Sequence, residues 1–263
     1  MQYKKIIPSL MVASILASSA GADFIRVEAG AGLWSQSGSG SAVYSSGSDL
    51  LPMSGTYTTN GDTQSDFYFW AILKHPVPIV PNFRLEYSTL SDEGKSDGSM
   101  SGYENFTNSP TNIDVQQIEV IPYYNLLDNT FWLTFDVGLD IRYMSSDVEL
   151  NGLSVATPMG SVALSTQSYS NSEDIFLPML YLRTRAQLPV TGLGVEADIK
   201  YTTDGDSTVY DVRAKVDYTF DITPVIQPGI ELGYRIQKFD IDTDDTKSNI
   251  DYSGVYAGVM LRF

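Results

Sequence analysis

The sequence has no cysteine and a single histidine. Without cysteine there are no disulfides, thiolate nucleophiles or cysteine-ligated metals, and one histidine leaves little scope for zinc sites or general acid–base catalysis. Charged residues make up only 18% of the chain, against roughly 25% in soluble proteins. The formal net charge of −16 excludes the phosphate backbone of a nucleic acid as partner. We therefore expect no cofactor and no nucleic-acid partner.

Aromatic residues are abundant, with 17 Tyr, 11 Phe and 3 Trp in 263 residues. An apolar fraction of 43% is enough for a packed fold. After residue 22 no apolar run approaches the ~18 residues that a membrane-spanning helix needs. A low-charge, tyrosine-rich chain without such a helix is unusual for a cytosolic enzyme.

Residues 1–22 have the pattern of a cleaved secretory signal peptide. A lysine pair precedes a short apolar stretch, and Ala20 and Ala22 supply a small-x-small cleavage site. The alternative is a first transmembrane helix, but the apolar stretch is shorter than the roughly 20 residues required. The sequence therefore predicts an exported mature domain, residues 23–263.

The mature sequence alternates apolar and polar residues in segments of about ten, which is the pattern of membrane β-strands. In Phe131–Tyr143, for example, Leu139 and Ile141 alternate with Asp140 and Arg142, so that each set lies on its own face of a strand. The predicted strands are Ile25–Trp34, Asp66–His75, Phe83–Leu90, Ile113–Tyr124, Phe131–Tyr143, Leu180–Leu188, Leu193–Tyr201, Tyr210–Phe220, Ile226–Ile236 and Tyr252–Phe263.

Two of these strands are less regular than the others. Asp66–His75 is apolar on both faces, so the pattern does not orient it. In Ile113–Tyr124 the pair Gln116 and Gln117 interrupts the alternation, and we expect a β-bulge there.

The connections between strands are short on one side and mostly long on the other. The longest cover about residues 35–65, 91–112 and 144–174. Short periplasmic turns and long extracellular loops are typical of outer-membrane barrels. The predicted fold class is thus all-β, an antiparallel transmembrane β-barrel of about ten strands. The alternative is a soluble β-sandwich or lipocalin-like barrel. Its strands also alternate apolar and polar residues, but such a fold buries the apolar face.

The end of the chain separates these two alternatives. Val259, Leu261 and Phe263 continue an apolar alternation to the last residue. The segment Tyr252–Phe263 resembles the C-terminal signature of bacterial outer-membrane β-barrel proteins. The resemblance implies that these three residues form a signal for the barrel assembly machinery. It also implies that outer-membrane lipids and lipopolysaccharide are partners.

Two further segments, Phe24–Trp34 and Ile121–Asp128, are similar to a family of small outer-membrane barrels of unassigned function. The resemblance covers the whole mature chain. It implies a location and a fold, and it implies almost nothing about activity.

The polar faces of the predicted strands bring charges of both signs into the lumen in nearly equal number. Such charges must be paired or hydrated, because an unpaired buried charge costs several kcal/mol. Ten strands lie nearer to the filled eight-stranded barrels than to the open porins. A lumen plugged by salt bridges and a thin water-filled pore both fit this strand number. The predicted lumen charges are Arg26, Glu28, Arg84, Glu86, Asp136, Asp140, Arg142, Arg183, Arg185, Glu196, Asp198, Lys200, Asp211, Arg213, Lys215, Asp217, Glu231, Arg235 and Arg262.

The net negative charge must then lie mainly in the loops. Asp240, Asp242 and Asp244 match positions 1, 3 and 5 of a calcium-binding loop. However, Asp245 replaces the glycine and Asp251 the final glutamate of that pattern. A calcium site is a weak prediction here, and the alternative is a solvated acidic loop.

No catalytic constellation is evident. His75 precedes Pro76 at the periplasmic end of its strand and has no serine or aspartate arrangement beside it, so we predict that the protein is not an enzyme. The first hypothesis is a structural or narrow-pore barrel with a salt-bridged lumen. The alternative is a surface-binding or adhesion barrel that acts through its long acidic loops.

Overall fold

The computed structural model describes residues 25–45, 53–77, 79–100, 105–130, 132–153, 167–223, 225–244 and 246–263. The predicted signal peptide, with Ala20 and Ala22, lies outside the described residues. No helix among the described residues is long and apolar enough to cross a membrane.

The strands are β1 (Arg26–Tyr44), β2 (Met53–Thr59), β3 (Thr63–Lys74), β4 (Asn82–Met100), β5 (Phe106–Thr130), β6 (Leu133–Leu153), β7 (Gln167–Gln187), β8 (Leu193–Thr203), β9 (Thr208–Thr219), β10 (Gln227–Asp242) and β11 (Thr246–Arg262).

Ten of these strands form a closed antiparallel barrel. Each pairs with its neighbours along the chain, and β1 closes the ring by pairing with β11 on one side and β3 on the other. β2 lies beyond the outer end of β3 and takes its place between β1 and β4. The predicted ten-stranded barrel is confirmed, and β2 is an additional strand inside the first predicted loop.

The strands extend farther outward than the sequence predicts. β6 continues to Leu153, whereas the predicted strand ends at Tyr143. Much of the three predicted long connections is therefore strand, paired with its neighbours apart from register shifts at Ser96–Gly98 and Leu150–Leu153. The prediction ended these strands early because the alternation changes its polarity along them.

An apolar belt surrounds the barrel on its outer surface. On β6, Leu139 and Ile141 point outward and are at least half exposed. At the outer edge of the belt, Tyr87, Tyr143 and Phe176 lie at one level on β4, β6 and β7, joined through Ile118 of β5. Aromatic residues at the border of an apolar band are typical of the membrane interface.

Beyond this level the polarity of the two faces is inverted. On β6 the outward residues become polar, as at Asp147 and Glu149, while the inward residues Met144, Val148 and Leu150 are apolar and buried. This part of the barrel thus has the organisation of a water-soluble β-barrel. We call it the outer section and the remainder the membrane section. The outer section comprises residues 35–44, 53–59, 63–66, 91–100, 106–116, 144–153, 167–175, 237–242 and 246–253.

The structure corrects the prediction for β5. No register shift occurs at Gln116 and Gln117, and the irregularities of β5 lie near its two ends, between Phe106 and Ser109 and between Asn125 and Thr130. Gln117 points inward and is buried, so the alternation continues through this pair. The two polar side chains interrupt the apolar pattern because one faces the lumen and the other lies at the start of the polar outer surface.

β3 buries aromatic rings in the lumen. Tyr68 and Trp70 point inward, while Phe67 and Leu73 face outward. Space for these rings comes from glycines on the neighbouring wall: a Cβ on Gly30 would lie 2.6 Å from the Trp70 ring. This is why both faces of β3 are apolar and why periodicity alone does not orient it.

The belt predicts where a new charge is tolerated. Leu139→Arg should lower the free energy of unfolding by about 2–4 kcal/mol, because it places a charge near the middle of the apolar band. Glu149→Arg, on the same face of β6 in the outer section, should change it by less than about 0.5 kcal/mol. Urea unfolding from phospholipid vesicles measures both, and equal effects would contradict the assigned belt.

The charged lumen as candidate functional site

All but one of the predicted lumen charges are buried inside the barrel. The exception is Arg26, whose side chain is half exposed at the periplasmic rim, where it forms a 2.7 Å ion pair with Glu28. Glu119 is a further buried lumen carboxylate that the sequence analysis did not select. Its position on the inward face of β5 was obscured by the expected bulge at Gln116.

At the periplasmic end, charges from the two edges of the β1–β11 seam meet. Arg262 donates to Glu28 at 3.1 Å and to Asp217 at 2.9 Å. Asp217 also accepts two hydrogen bonds from Arg185, at 2.6 and 2.8 Å. One carboxylate on β9 thus links the last strand of the chain to β7.

Farther in, Glu196 is surrounded by four cations. Arg183 lies 2.7 Å from its carboxylate, Arg185 3.2 Å, Arg84 3.3 Å and Lys215 3.5 Å. These cations come from β4, β7 and β9, so the contacts cross the lumen as well as following the wall. Sharing of this kind is what a buried carboxylate needs in order to remain ionised.

Glu86 is the second such centre. It accepts hydrogen bonds from Arg213 at 2.6 and 2.8 Å and from Lys200 at 2.7 Å, and it also contacts Arg84. Arg213 in turn donates to Asp198 at 2.8 Å. Bonds between residues 127 positions apart in the chain hold opposite walls together here.

The third centre lies nearest the outer section. Asp211 accepts hydrogen bonds from Arg235 at 2.7 Å, from Arg142 at 2.8 Å and from Gln237 at 3.0 Å. Glu119 contacts Lys200 and lies 3.3 Å from Arg142. This layer fills the lumen with side chains that are almost entirely shielded from solvent.

Aromatic side chains complete the packing around Glu231. Its carboxylate accepts hydrogen bonds from Tyr68 at 2.7 Å, from Trp70 at 2.9 Å and from Lys215 at 2.8 Å. The Lys215 amine also lies 4.4 Å from the centre of the Trp70 ring, and Arg84 lies 5.5 Å from it. Cation–π contacts of this kind add to the ion pairs in a desolvated site.

The outer section closes the lumen differently. Asp92 is buried and accepts hydrogen bonds from Tyr57 at 2.5 Å and Tyr252 at 3.3 Å. Burial raises the pKa of Asp92, against the hydrogen bonds from the two tyrosines. Apolar side chains pack around this level and beyond it, among them Leu90 and Leu150, both essentially inaccessible to solvent.

A cavity of about 570 Å³ opens at the periplasmic end of the barrel. Lys74 and Asn125 lie on its wall, and Arg183 and Arg185 line its inner end. Arg26, Glu28 and Arg262 of the ion-pair network also line it, so the cavity is a vestibule in front of the filled lumen.

The remaining predicted residues lie apart from the lumen network. Asp242 forms an exposed ion pair with Lys247, and Asp240 and Asp244 lie along the same strand and its turn. Among the described residues, no three acidic or histidine side chains form a group that could hold a metal ion. His75 is bound within its own turn: its ring accepts from the Val77 amide and contacts the Pro81 carbonyl oxygen.

The last strand has its predicted apolar residues on the outside. Val259, Leu261 and Phe263 are at least two-fifths exposed on the belt side of the barrel. Phe263 extends the closing seam, because its amide donates to the carbonyl of Val27 at 2.9 Å.

No protein-family model matches the chain, and no curated protein matches its sequence. Among solved structures, the chain is similar to the outer membrane protease OmpT from Escherichia coli, with a TM-score of 0.52, 12% identity, and coverage of 90% of this chain and 97% of that one. A FadL homologue from Pseudomonas aeruginosa matches at TM-score 0.40 and 10% identity, over 92% of this chain and 90% of that one. The Neisserial surface protein NspA matches at TM-score 0.30 and 13% identity, over 93% of this chain and 100% of that one. The fold is that of a bacterial outer-membrane β-barrel.

The ion-pair network should contribute strongly to stability. Lys200→Met removes the cation that Glu86 and Glu119 share, and it should lower the free energy of unfolding by about 3–5 kcal/mol. The matched control is Lys247→Met, which breaks an exposed pair and should cost at most about 1 kcal/mol. Urea unfolding of the refolded barrel measures both variants. If Lys200→Met were as stable as Lys247→Met, the buried ion pairs would not contribute to the free energy of unfolding.

Proposed function

We propose that the protein is a non-conducting outer-membrane barrel whose lumen serves as a structural plug. The observation that carries the proposal is the filled layer around Asp211, where Arg142, Lys200 and Asp211 are fully inaccessible to solvent. A water-filled path would leave some of these charged groups hydrated. Their partners are instead one another, at ion-pair distances.

A second, independent closure supports the same proposal. Beyond the ion-pair layers, the interior of the outer section is lined by apolar side chains such as Val148, Leu150 and Leu153, which are almost completely buried. An ion crossing the zone of these three side chains would lose its hydration to apolar groups, which makes passage unfavourable. The narrow-pore form of the first hypothesis is therefore the less favoured one.

We further propose that the protein is not an enzyme. OmpT is a protease, but the similarity at 12% identity concerns the fold alone. The only histidine, His75, lies at the periplasmic side and its ring nitrogens contact backbone atoms of its own turn. A histidine that acts as general base needs a free ring nitrogen within reach of a substrate proton.

Function at the outer surface is the second candidate, and the acidic outer section favours it. The residues that point outward there include several carboxylates and few cations. At the cell surface these groups would face the phosphates of lipopolysaccharide, and hard divalent cations bind both. The outward carboxylates that carry this proposal are Glu93, Asp97, Asp114, Asp147, Glu149 and Asp174.

Export and assembly complete the proposal. Residues 1–22 would direct the chain out of the cytoplasm and be removed after Ala22. Val259, Leu261 and Phe263, exposed on the outside of β11, would be accessible to the assembly machinery before the seam with β1 closes.

Planar-bilayer recording tests the plug. Refolded residues 23–263, shown to be folded by a heat-modifiable band, should give no discrete conductance steps because both closures block the lumen. A general porin reconstituted in the same way controls for insertion. Regular single-channel steps from the folded barrel would contradict the proposed plug.

A variant in which three outward carboxylates of the outer section are neutralised tests whether the outer surface binds lipopolysaccharide through divalent cations. Asp147→Asn, Glu149→Gln and Asp174→Asn together should reduce the lipopolysaccharide retained by the purified barrel in the presence of Mg²⁺, because bridging cations lose their protein ligands. The wild type should release lipopolysaccharide on chelation of Mg²⁺. Ser145→Ala with Ser170→Ala, on the same strands, is the control. Equal retention by all three proteins would argue against cation bridging.

A further inference from the structure

Asp140 differs from every other carboxylate in the lumen. Its side chain is fully buried on the inward face of β6, yet neither carboxylate oxygen has a hydrogen-bond partner within the described part of the chain. Its nearest cation is Arg142, with Nη2 at 3.4 Å. Asp136, on the same face of the same strand, accepts from Arg183 at 2.7 Å and also from Asn125.

Arg142 does not compensate the charge of Asp140. Its Nη2 donates to Asp211 at 2.8 Å, and the same nitrogen lies 3.3 Å from Glu119 Oε1. Nε and Nη1 of this guanidinium form no hydrogen bond among the described residues. Two carboxylate oxygens, from Asp140 and Glu119, therefore flank one nitrogen that is already bonded to a third carboxylate.

The balance of buried charges in the membrane section also leaves one carboxylate without a cation of its own. It buries ten carboxylates but nine cations, since Arg26 remains half exposed at the rim. Asp66 and Asp92 add two more buried carboxylates in the outer section. The buried interior thus contains more acids than bases, and the excess acid without hydrogen bonds is Asp140.

The other cation near Asp140 is already shared between two carboxylates. Lys200 is the nearest one across the lumen, and its amine is bound to Glu86 and Glu119. Tyr123 and Tyr181 lie opposite Gly138, the next inward residue of β6. The titratable and charged groups around Asp140 are Glu86 on β4, Glu119 and Tyr123 on β5, Arg142 on β6, Tyr181 on β7, Lys200 on β8, and Asp211 on β9.

We propose that Asp140 binds a proton and is a neutral carboxylic acid in the closed lumen. The inference rests on the proposed plug, because side chains that close the lumen to solvent leave this group with only its neighbours as partners. The proton comes from water and bonds to one carboxylate oxygen of Asp140. We assign the new O–H group to Glu119 Oε1 as acceptor, because this oxygen accepts no hydrogen bond and contacts the same Arg142 nitrogen as Asp140. When two acids share one site, protonating one of them relieves the repulsion.

Infrared spectroscopy of the folded barrel tests this site. The wild type at neutral pH should show the carbonyl stretch of a protonated carboxylic acid, and Asp140→Asn should lose it. Asp136→Asn is the matched control and should keep the band, because Asp136 forms an ion pair with Arg183 and accepts a hydrogen bond from Asn125. Absence of the band in the wild type, or its persistence in Asp140→Asn, would overturn the proposal.

A stability measurement gives a second readout. The unfolded chain releases the Asp140 proton above roughly pH 4 and the folded barrel keeps it, so the urea midpoint of the wild type should fall as the pH rises from about 5 to about 7. Asn is neutral and of the same shape, so the midpoint of Asp140→Asn should change little over the same range. A midpoint that falls equally in both proteins would overturn the proposal.

Two further results separate this inference from its alternatives. If replacing choline with sodium at constant ionic strength stabilises the wild type but not Asp140→Asn, and the acid band is absent, a bound cation occupies the site and the proton is excluded. If the barrel conducts but the acid band is present and depends on Asp140, the proposed plug fails while the proton site stands.

Discussion

Pairing of buried charges is the constraint on which the rest of the structure depends. Each carboxylate or guanidinium taken into the lumen loses its hydration, which is tolerable only where oppositely charged groups replace the water. In the membrane section these replacements come from strands on opposite walls, as where Arg213 of β9 meets Glu86 of β4. Slipping any strand by one residue would turn its charges to the lipid, so the network also specifies the register.

A second principle operates at the level of Tyr143, where the solvent around the barrel changes. In the membrane section the outer face is apolar and the inner face polar, and beyond it the arrangement is reversed on the same strand. The reversal follows from the hydrophobic effect acting on different faces: lipid covers the belt, whereas water surrounds the outer section. The lumen is filled by ion pairs where lipid surrounds the wall and by an apolar core where water does.

Periodicity of two was sufficient to predict the barrel, its ten strands and which charges face inward. It could not predict the partners, because Arg213 and Glu86 meet through the curvature of the closed wall and not through proximity in the chain. Glu119 was missed since a pair of glutamines interrupted the apolar pattern, and β3 could not be oriented because its inward side chains are aromatic rings packed on glycine. The strand ends were placed too early because the polarity reverses while the backbone pairing continues.

The same constraint bears on where the protein acts. A conducting lumen needs charged groups that water can reach, but here cations such as Arg142 and Lys200 are bound to several carboxylates and shielded from solvent. Opening a path would break many pairs at once, each leaving a charge without solvent. On the proposed function, an interior in which the ionic groups are committed to one another leaves the outer surface as the place where the protein would meet a partner.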